Sequence, residues 1–483
     1  MAESGGTTTT AQGPDGPSLK RVMGPGLLLL FIVGDILGTG VYALTGDVAA
    51  EVGGAAWLPF VVAFAVALVT AFSYLELVTK YPHAAGAALY THRAFGIHVL
   101  TFMVCFTVMS SGITSASTAS RAFAANAIVG FTSVEEPSTS TIVWVALGFM
   151  ALVALVNLRG VSESVKANVV LTCIELSGLL LVILVGIWAF FGTTADFSRV
   201  VAFETPDDKS AFLAVTAATT LAFFAMVGFE DAVNMAEETK EPTRIFPRIM
   251  FTGLTITGLI YVLVAISAVA LVPVGELAAS ETPLLEVVRA GAPGLPVDQI
   301  FPFISMFAVA NSALINMLMA SRLLYGMARQ RVLPPILGKV HERRRTPWTA
   351  ILFTTALAFG LIVYVSFADS EATAVLGGTT ALLLLGVFTI VNIAVLVLRR
   401  RTVDHAHFRA PTAVPVIGAM ACAYFVGPWT GRDPAQYGVA GVLLVLGLVL
   451  WGITMLINRA LGVRTPRPDE EDLDQISTRG PVN

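Results

Sequence analysis

The chain has 483 residues, of which 55% are hydrophobic and only 13% are charged, and its formal net charge at pH 7 is −4. Soluble domains carry about 25% charged residues, so this composition is typical of an integral membrane protein. The small net charge and the lack of a basic run with interleaved aromatic residues argue against nucleic acid as a partner.

Patterns that would indicate an enzyme or a metalloprotein do not occur in the sequence. The three cysteines, Cys105, Cys173 and Cys422, lie in apolar stretches without the spacing of a disulfide framework or a zinc site, and we interpret them as small core residues. There is no HExxH, GxSxG or triad-like pattern and no complete nucleotide-binding loop. We therefore expect no enzymatic activity and no cofactor.

Twelve apolar windows of about 20 residues, the length that a helix needs to cross a bilayer, follow one another along the chain. These predicted spans 1 to 12 lie at residues 24–46, 54–79, 95–125, 140–157, 165–192, 209–235, 246–272, 298–322, 348–366, 372–398, 411–429 and 436–461. Residues 1–22 and 463–483 have no periodic apolar pattern and are predicted to be disordered tails.

Lysine and arginine predict the orientation of the chain. With both termini in the cytoplasm, all but five of the 29 Lys and Arg residues fall on the cytoplasmic side, the five being Arg121, Arg199, Lys209, Arg289 and Arg432. The positive-inside rule therefore predicts a multi-pass protein of the cytoplasmic membrane with both tails inside. The most basic loop, 322–345, is expected to lie near the anionic headgroups of the membrane lipid.

Span 1 contains GDILGTGVYALTG, residues 34–46, in which a carboxylate and several glycines interrupt an apolar helix. Gly38, Thr39 and Gly40 predict a break near the bilayer midplane. The backbone N–H groups that begin the next half-helix, as far as Val41, would hold the carboxylate of a small ligand. The alternative is that Gly34 and Gly38 form a GxxxG packing face, which is common in membrane helices.

A second break is predicted in span 6, in FFAMVGFEDAV, residues 223–233. An interruption at Gly228 would leave the preceding carbonyl groups unpaired and able to bind an ammonium group. The predicted amine-binding and gating residues are Phe223, Phe224, Ala225, Val227 and Gly228. Together the two breaks predict a zwitterionic amino acid as ligand. The alternatives are phenylalanines that pack or face lipid, and a Glu230 and Asp231 that only stabilise the turn.

The spacing of the two breaks predicts an inverted repeat. They lie five spans apart, and because five is odd, the second five-span unit must be upside down in the membrane. We therefore predict an all-α integral membrane fold with twelve transmembrane helices, of which helices 1 and 6 are broken. The first repeat would cover residues 23–192, the inverted repeat 205–400, and the last two helices 410–462.

Four stretches carry a family resemblance: GDILGTGVYALTG, YLELVTKYPHAAGAALYTHRAFG, FFAMVGFEDAVNMAEETKEPTRIFPR and SRLLYGMARQRVLPPIL. They are similar to signatures of the amino acid, polyamine and organocation (APC) transporter superfamily, in its branch of bacterial amino acid permeases. The resemblance implies the inverted-repeat fold. It also implies alternating access, in which spans 1 and 6 move against a scaffold of spans 3, 4, 8 and 9.

The sequence thus predicts a secondary active transporter of amino acids. One alternative is an amine or polyamine carrier, which would use extra acids such as Asp35, Glu230 and Asp231. Others are an amino acid exchanger and a nutrient sensor that binds without transport. All three cysteines lie inside predicted spans, so no obligatory protein partner linked through a cysteine is expected.

Glu175 in span 5 is predicted to couple transport to a proton. It is the only charge between Lys166 and the outer end of the span, and Thr172 lies one turn before it. In the resembling proteins this position faces span 1 near the break. Burial disfavours the charged form of a carboxyl group, so Glu175 would bind a proton outside and release it inside. Asp35 is the second candidate, and Glu230 and Asp231 are further candidates for proton or ion coupling. The alternative is a Glu175 that only bonds Thr172 or a neighbouring carbonyl.

Polar residues at two further places inside the apolar spans require an explanation. Asn311 and Ser312 in span 8 offer oxygen ligands for a sodium ion, which binds between spans 1 and 8 in sodium-coupled members of the resembling fold. They do not reproduce the paired hydroxyls of that site, so bonding between helices is the alternative. Glu76, near the inner end of span 2, is expected to bond the loop that follows it.

Overall fold

The computed structural model is all-α, and the residues that it describes are 23–82, 86–132, 134, 137–159, 164–192, 195–206, 209–293, 296–329, 332–341, 344, 346–368 and 371–460. The α-helices are α1 (Pro25–Val52), α2 (Trp57–Lys80), α3 (Gly86–Phe95), α4 (His98–Thr132), α5 (Thr139–Arg159), α6 (Ser164–Phe191), α7 (Ala211–Ala225), α8 (Pro242–Leu271), α9 (Val274–Ala279), α10 (Pro283–Gly291), α11 (Val297–Arg329), α12 (Trp348–Ala368), α13 (Ala372–Leu398), α14 (Ala413–Val426) and α15 (Pro434–Ala460). Short 3₁₀ helices cover Arg199–Val201, Asp231–Glu238, Pro335–Gly338 and Pro428–Thr430. The predicted tails, 1–22 and 463–483, lie outside the described residues.

Each predicted span overlaps an α-helix, but α7 covers only residues 211–225 of span 6. Ten of these helices are long and apolar enough to cross a membrane, namely α1, α2, α4, α5, α6, α8, α11, α12, α13 and α15. The chain is therefore a multi-pass membrane protein. The other two, α7 and α14, have 15 and 14 residues, fewer than the roughly 20 that a straight crossing needs. The short helices α3, α9 and α10 connect the long ones and were not predicted.

Both predicted breaks have a local backbone cause. α7 ends at Ala225 because the chain then turns through Gly228, whose φ of 126° is a conformation that glycine adopts at little cost. A 3₁₀ helix, Asp231–Glu238, follows this turn. α1 is interrupted at a single residue, Gly38, with φ −7° and ψ −154°, and continues as a helix to Val52.

Contacts between helix ends define two faces of the molecule. Met23, just before α1, forms an isolated β-bridge with Thr239, and we call this side the near face. Gly53, just after α1, forms a bridge with Phe203, which precedes α7, and we call this side the far face. The two broken segments therefore run in opposite directions, α1 from near to far and α7 from far to near.

A buried ion pair joins α2 to the connection between α13 and α14 at the near face. Glu76, with a side chain only 2% exposed, accepts bonds from Arg399 Nε at 2.8 Å and Arg399 Nη2 at 2.6 Å. The backbone N–H of Ala410 donates to the same carboxylate at 3.0 Å, and Lys80 Nζ donates to the carbonyl of Leu398 at 2.7 Å. Glu76 thus has a structural bond, but with a connection distant in sequence rather than with the loop after α2.

Cys173 also differs from the sequence-based expectation. It is exposed on α6, whereas Cys422 is buried and Cys105 is partly buried, so the interpretation of all three as core residues is wrong for Cys173. The apolar surface of a membrane helix is equally compatible with lipid and with neighbouring helices, so hydropathy could not separate these cases.

We expect Glu76→Gln to lower the free energy of unfolding by about 3 kcal/mol, because Arg399 would keep a buried charge without its carboxylate. The control is Glu51→Gln, since the ion pair of Glu51 with Lys209 leaves 20% and 21% of the two side chains exposed. That variant should lose less than about 1 kcal/mol. Thermal unfolding in detergent, followed by tryptophan fluorescence, measures both. Equal shifts in the two variants would contradict the importance of the Glu76 pair.

Candidate functional site

The residues predicted to bind a carboxylate lie in the centre of the molecule. Gly38, Thr39, Gly40 and Val41 are all buried in α1. Thr39 is 3% exposed, and its hydroxyl oxygen has no hydrogen-bond partner among the described residues. A buried polar group without a partner costs free energy, so this hydroxyl is available to a ligand or a water molecule.

The two predicted gating phenylalanines are buried at the end of α7. Phe223 is 1% exposed, with its ring centroid 6.1 Å from that of Phe388 in α13. Phe224 is 5% exposed and lies against α13 next to Leu44, since a Cβ added at Gly377 would be 2.8 Å from Leu44 Cδ1 and 3.3 Å from Phe224 Cδ1. Neither ring faces lipid. Phe224 and Leu44 therefore lie next to each other where α1, α7 and α13 meet.

α7 ends in two tight hydrogen bonds of the i to i+3 type. The N–H of Met226 donates to the carbonyl of Phe223 at 3.0 Å, and the N–H of Val227 donates to that of Phe224 at 3.4 Å. Residues 226–230 then form a turn. The regular α-helix therefore ends at the residues for which the sequence predicts ammonium binding.

The two breaks touch each other through their glycines. A Cβ added at Gly40 would lie 2.7 Å from Ala225 Cβ and 2.8 Å from its backbone N. A Cβ added at Gly228 would lie 2.7 Å from the carbonyl oxygen of Asp35. Both distances are too short for a side chain, so the α1 break and the turn after α7 are in direct contact. The second half of α1 therefore begins next to the point where α7 ends.

Gly34 and Gly38 do not form one packing face. A Cβ at Gly34 would meet the side chain of Thr172 in α6, with Thr172 Cβ 2.8 Å away. A Cβ at Gly38 would instead lie 2.6 Å from the hydroxyl oxygen of Ser312 in α11. The two glycines thus pack against different helices, so the packing alternative would involve both α6 and α11. Ser312 brings its hydroxyl to the α1 break, and Asn311, next to it in α11, is buried.

Glu175 lies against α1 and its carboxylate has no partner. The residue is fully buried, and neither carboxylate oxygen has a hydrogen-bond partner among the described residues. The Thr172 hydroxyl also lacks one, so the alternative of a Glu175–Thr172 bond is wrong. The Tyr42 hydroxyl of α1 donates to the backbone carbonyl of Glu175 at 2.8 Å, which holds this turn of α6 on α1.

Three further acids lie at the breaks. Glu230 is 7% exposed and accepts the backbone N–H of Gly228 at 2.9 Å, a bond that stabilises the turn after α7. Asp231 is partly buried beside it. One carboxylate oxygen of Asp35, Oδ2, is buried without a partner among the described residues. Of the two acids for which turn stabilisation was the alternative, Glu230 therefore makes such a bond.

A small cavity lies beside the second break, toward the near face. Its volume is about 20 Å³, enough for roughly one water molecule. Glu230 and Asp231 line it together with three polar residues of other helices, Ser111, Asn316 and Thr380. The sequence-based prediction missed Ser111 and Thr380. The run of Ser and Thr between residues 110 and 120, in an otherwise apolar span, is the signal that indicates a polar face on α4.

Comparisons with known proteins give the chain a family context. A family model described as amino acid permease matches residues 27–454, which include both breaks. A methylthioribose transporter of Bacillus subtilis is 26% identical over 462 residues, covering 90% of this chain and 91% of that protein. A branched-chain amino acid permease of the same species is 26% identical, covering 84% of this chain and 87% of that protein. Cationic amino acid transporter 9 of Arabidopsis thaliana is 30% identical over 69% of this chain and 59% of that protein.

We expect Gly40→Ala to abolish binding of a small ligand at the breaks, because the added methyl group would push α1 away from Ala225. Gly26→Ala is the matched control, since it lies in the same helix and a Cβ there meets nothing within 4 Å. Thermal-shift titrations with leucine and with lysine measure binding as a gain in stability. A correctly folded Gly40→Ala variant with undiminished shifts would contradict a ligand site at this contact.

Proposed function

Because the chain belongs to the amino acid permease family, we propose that it moves amino acids across the cytoplasmic membrane as a secondary active transporter with alternating access. Its relatives are transporters of amino acids or of another small molecule, so the chain is a transporter and not an enzyme. We further propose the number of membrane crossings, the mode of substrate binding and the coupling ion.

For the architecture, we propose twelve crossings in which α7 with its 3₁₀ continuation and α14 supply the two short ones. The first repeat would comprise residues 23–192, the inverted repeat 205–400, and residues 410–462 would form the last two helices. The opposite directions of the two broken segments support this arrangement, since an inverted repeat requires them. Both termini would then lie in the cytoplasm, at the near face.

The contact between the two breaks is the observation that carries the proposed binding mode. The two breaks approach each other so closely at Gly40 and Ala225 that a Cβ on Gly40 would collide with Ala225. N–H groups at Gly38–Val41 would bind the substrate carboxylate, and the carbonyls of Ala225–Val227 would bind its ammonium group. A zwitterion satisfies both helix ends at once, because each end carries a partial charge opposite to one end of the amino acid.

The packing around the breaks supports alternating access. Phe224 and Leu44 lie together against Gly377 on one side of the breaks, and the cavity on the other side has room for about one water molecule. We infer that helices move apart to admit a substrate, as alternating access requires.

One observation favours a second candidate, a carrier of amines or polyamines. Glu230 and Asp231 line the cavity beside the proposed ammonium site, so that an extra positive charge on the ligand would meet negative charge there. The same negative charge would also suit a basic amino acid. An exchanger of one substrate for another would use the same geometry. Comparison of leucine, lysine and isopentylamine distinguishes the classes of ligand.

For the coupling ion, we propose a proton carried by Glu175. A carboxylate in the membrane interior costs at least about 2.5 kcal/mol, and a fully buried one without a hydrogen-bond partner is stable only when it is neutral or a cation lies beside it. Glu175 in α6 lies against α1, where Tyr42 bonds its backbone carbonyl. Movement of α1 would therefore change the access of the Glu175 carboxylate to water. Sodium held near Asn311 and Ser312 is the alternative.

We expect binding to require both charged ends of the amino acid. Leucine methyl ester, which lacks the carboxylate, and 4-methylpentanoate, which lacks the α-amine, should each give a much smaller thermal shift than leucine. A saturating ligand, at about 100 times its dissociation constant, adds roughly 2.7 kcal/mol to stability, so the difference is measurable. If isopentylamine stabilises the protein as well as leucine does, the amine-carrier alternative replaces the amino acid proposal.

We expect Glu175→Gln to abolish accumulation of substrate driven by a pH gradient, because an amide cannot take up or release the proton. Glu204→Gln, at an exposed residue near the far face, is the matched control and should accumulate like the wild type. The measurement is uptake of radiolabelled leucine and lysine into proteoliposomes, acidic outside, without sodium. Wild-type accumulation that depends on sodium instead would contradict proton coupling and favour the site at Asn311 and Ser312.

A further inference from the structure

We propose that the proton carried by Glu175 leaves through Asp35 and then through the two acids that line the cavity. The path, which we call the acid track, consists of Glu175 in α6, Asp35 in α1, and Glu230 and Asp231 after α7. The inference rests on the proton coupling proposed above and adds the route and the direction of release. It assigns to Asp35 the role of a relay between two helices.

The first contact of the acid track joins α6 to α1. The carboxylate of Glu175 is fully buried without a hydrogen bond, one turn from Thr172. Thr172 packs directly on Gly34, the residue before Asp35, with its Cβ 2.8 Å from where a Cβ of Gly34 would be. Tyr42 fixes the same turn of α6 through its bond to the Glu175 carbonyl. The Glu175 segment is therefore held on the turn of α1 that carries Asp35.

Asp35 stands between Glu175 and the second break. Its Oδ2 atom is buried and has no partner among the described residues, and its carbonyl oxygen presses on Gly228. On the α8 side, the Tyr261 hydroxyl donates to the Ile36 carbonyl at 2.5 Å, which fixes the α1 backbone next to Asp35.

The last step of the acid track is the turn after α7. Gly228 meets the carbonyl of Asp35 on one side and donates its N–H to Glu230 Oε2 at 2.9 Å on the other. Glu230 and Asp231 line the cavity, which has room for about one water molecule. The track thus ends at a polar space on the near-face side, which is the cytoplasmic side in the proposed orientation.

The transfer itself is balanced at each step. One proton passes from a carboxylic acid to the neighbouring carboxylate, so the donor becomes a carboxylate, the acceptor becomes neutral, and one positive charge moves along the track. The final acceptor is water in the cavity once this side opens. Adjacent carboxylates repel each other in a medium of low dielectric constant, so a proton entering at Glu175 favours release at the other end.

The test compares Asp35→Asn and Asp231→Asn with Asp47→Asn, a substitution of the same type in α1 but near its far end and outside the track. Glu230 is left unchanged because its carboxylate also holds the turn. In proteoliposomes, we measure leucine and lysine accumulation driven by a pH gradient and, separately, counterflow of the same amino acids without a gradient. The ratio of accumulation to counterflow should fall at least about tenfold in both track variants and stay constant in Asp47→Asn.

A second measurement needs no substrate. The infrared band of protonated carboxyl groups, followed as a function of pH, should change its midpoint in Asp35→Asn by more than the loss of one acid explains, because Glu175 loses a charged neighbour. The acid track would be overturned, with proton coupling intact, by two results together. The wild-type protein would accumulate substrate in response to the pH gradient, and Asp35→Asn would behave like Asp47→Asn in both measurements. A wild type with counterflow but no proton-driven accumulation would overturn both.

Discussion

The close approach of two interrupted helices is the constraint on which the rest of the structure depends. At Gly40 and at Gly228 the opposing chain lies where a Cβ would stand, so only glycine permits this distance. These two glycines therefore set how near the two breaks come to each other. The proposed binding mode depends on this approach, because the membrane interior offers no water to the backbone N–H and C=O groups of a helix break.

The acids inside the helices fall into two groups with different physical roles. Glu76 and Glu230 have partners, Arg399 for the first and a backbone N–H for the second, and both hold a local structure together. Glu175 and Asp35 keep buried oxygen atoms without partners. Desolvation of a carboxylate is costly, and no described residue bonds these oxygen atoms. This unfavourable burial at the α1 break is the basis of the coupling role proposed for Glu175.

The sequence predicted the positions of the long helices well, because runs of about 20 apolar residues are a strong signal. It also predicted both breaks, at Gly38 and Gly228, because glycine beside a carboxylate is unusual within such runs. It did not predict which residues meet. The bond of Glu76 to Arg399, the packing of Thr172 on Gly34 and the exposure of Cys173 all depend on how helices face one another. Membrane helices are apolar toward both lipid and protein, so periodicity carries little information about facing.

Two attachments of α13 have a mechanical consequence. In its first third, Thr380 bonds Thr114 of α4, with 2.7 Å between the hydroxyl oxygens, while its near-face end is fixed to α2 through Arg399 and Glu76. Any displacement of α2 relative to α4 would therefore strain α13, because α13 is bonded to both helices. Gly386 lies between these anchors, with nothing within 4 Å of the position of a Cβ. Bending at this point would let one helix follow both neighbours without breaking either attachment.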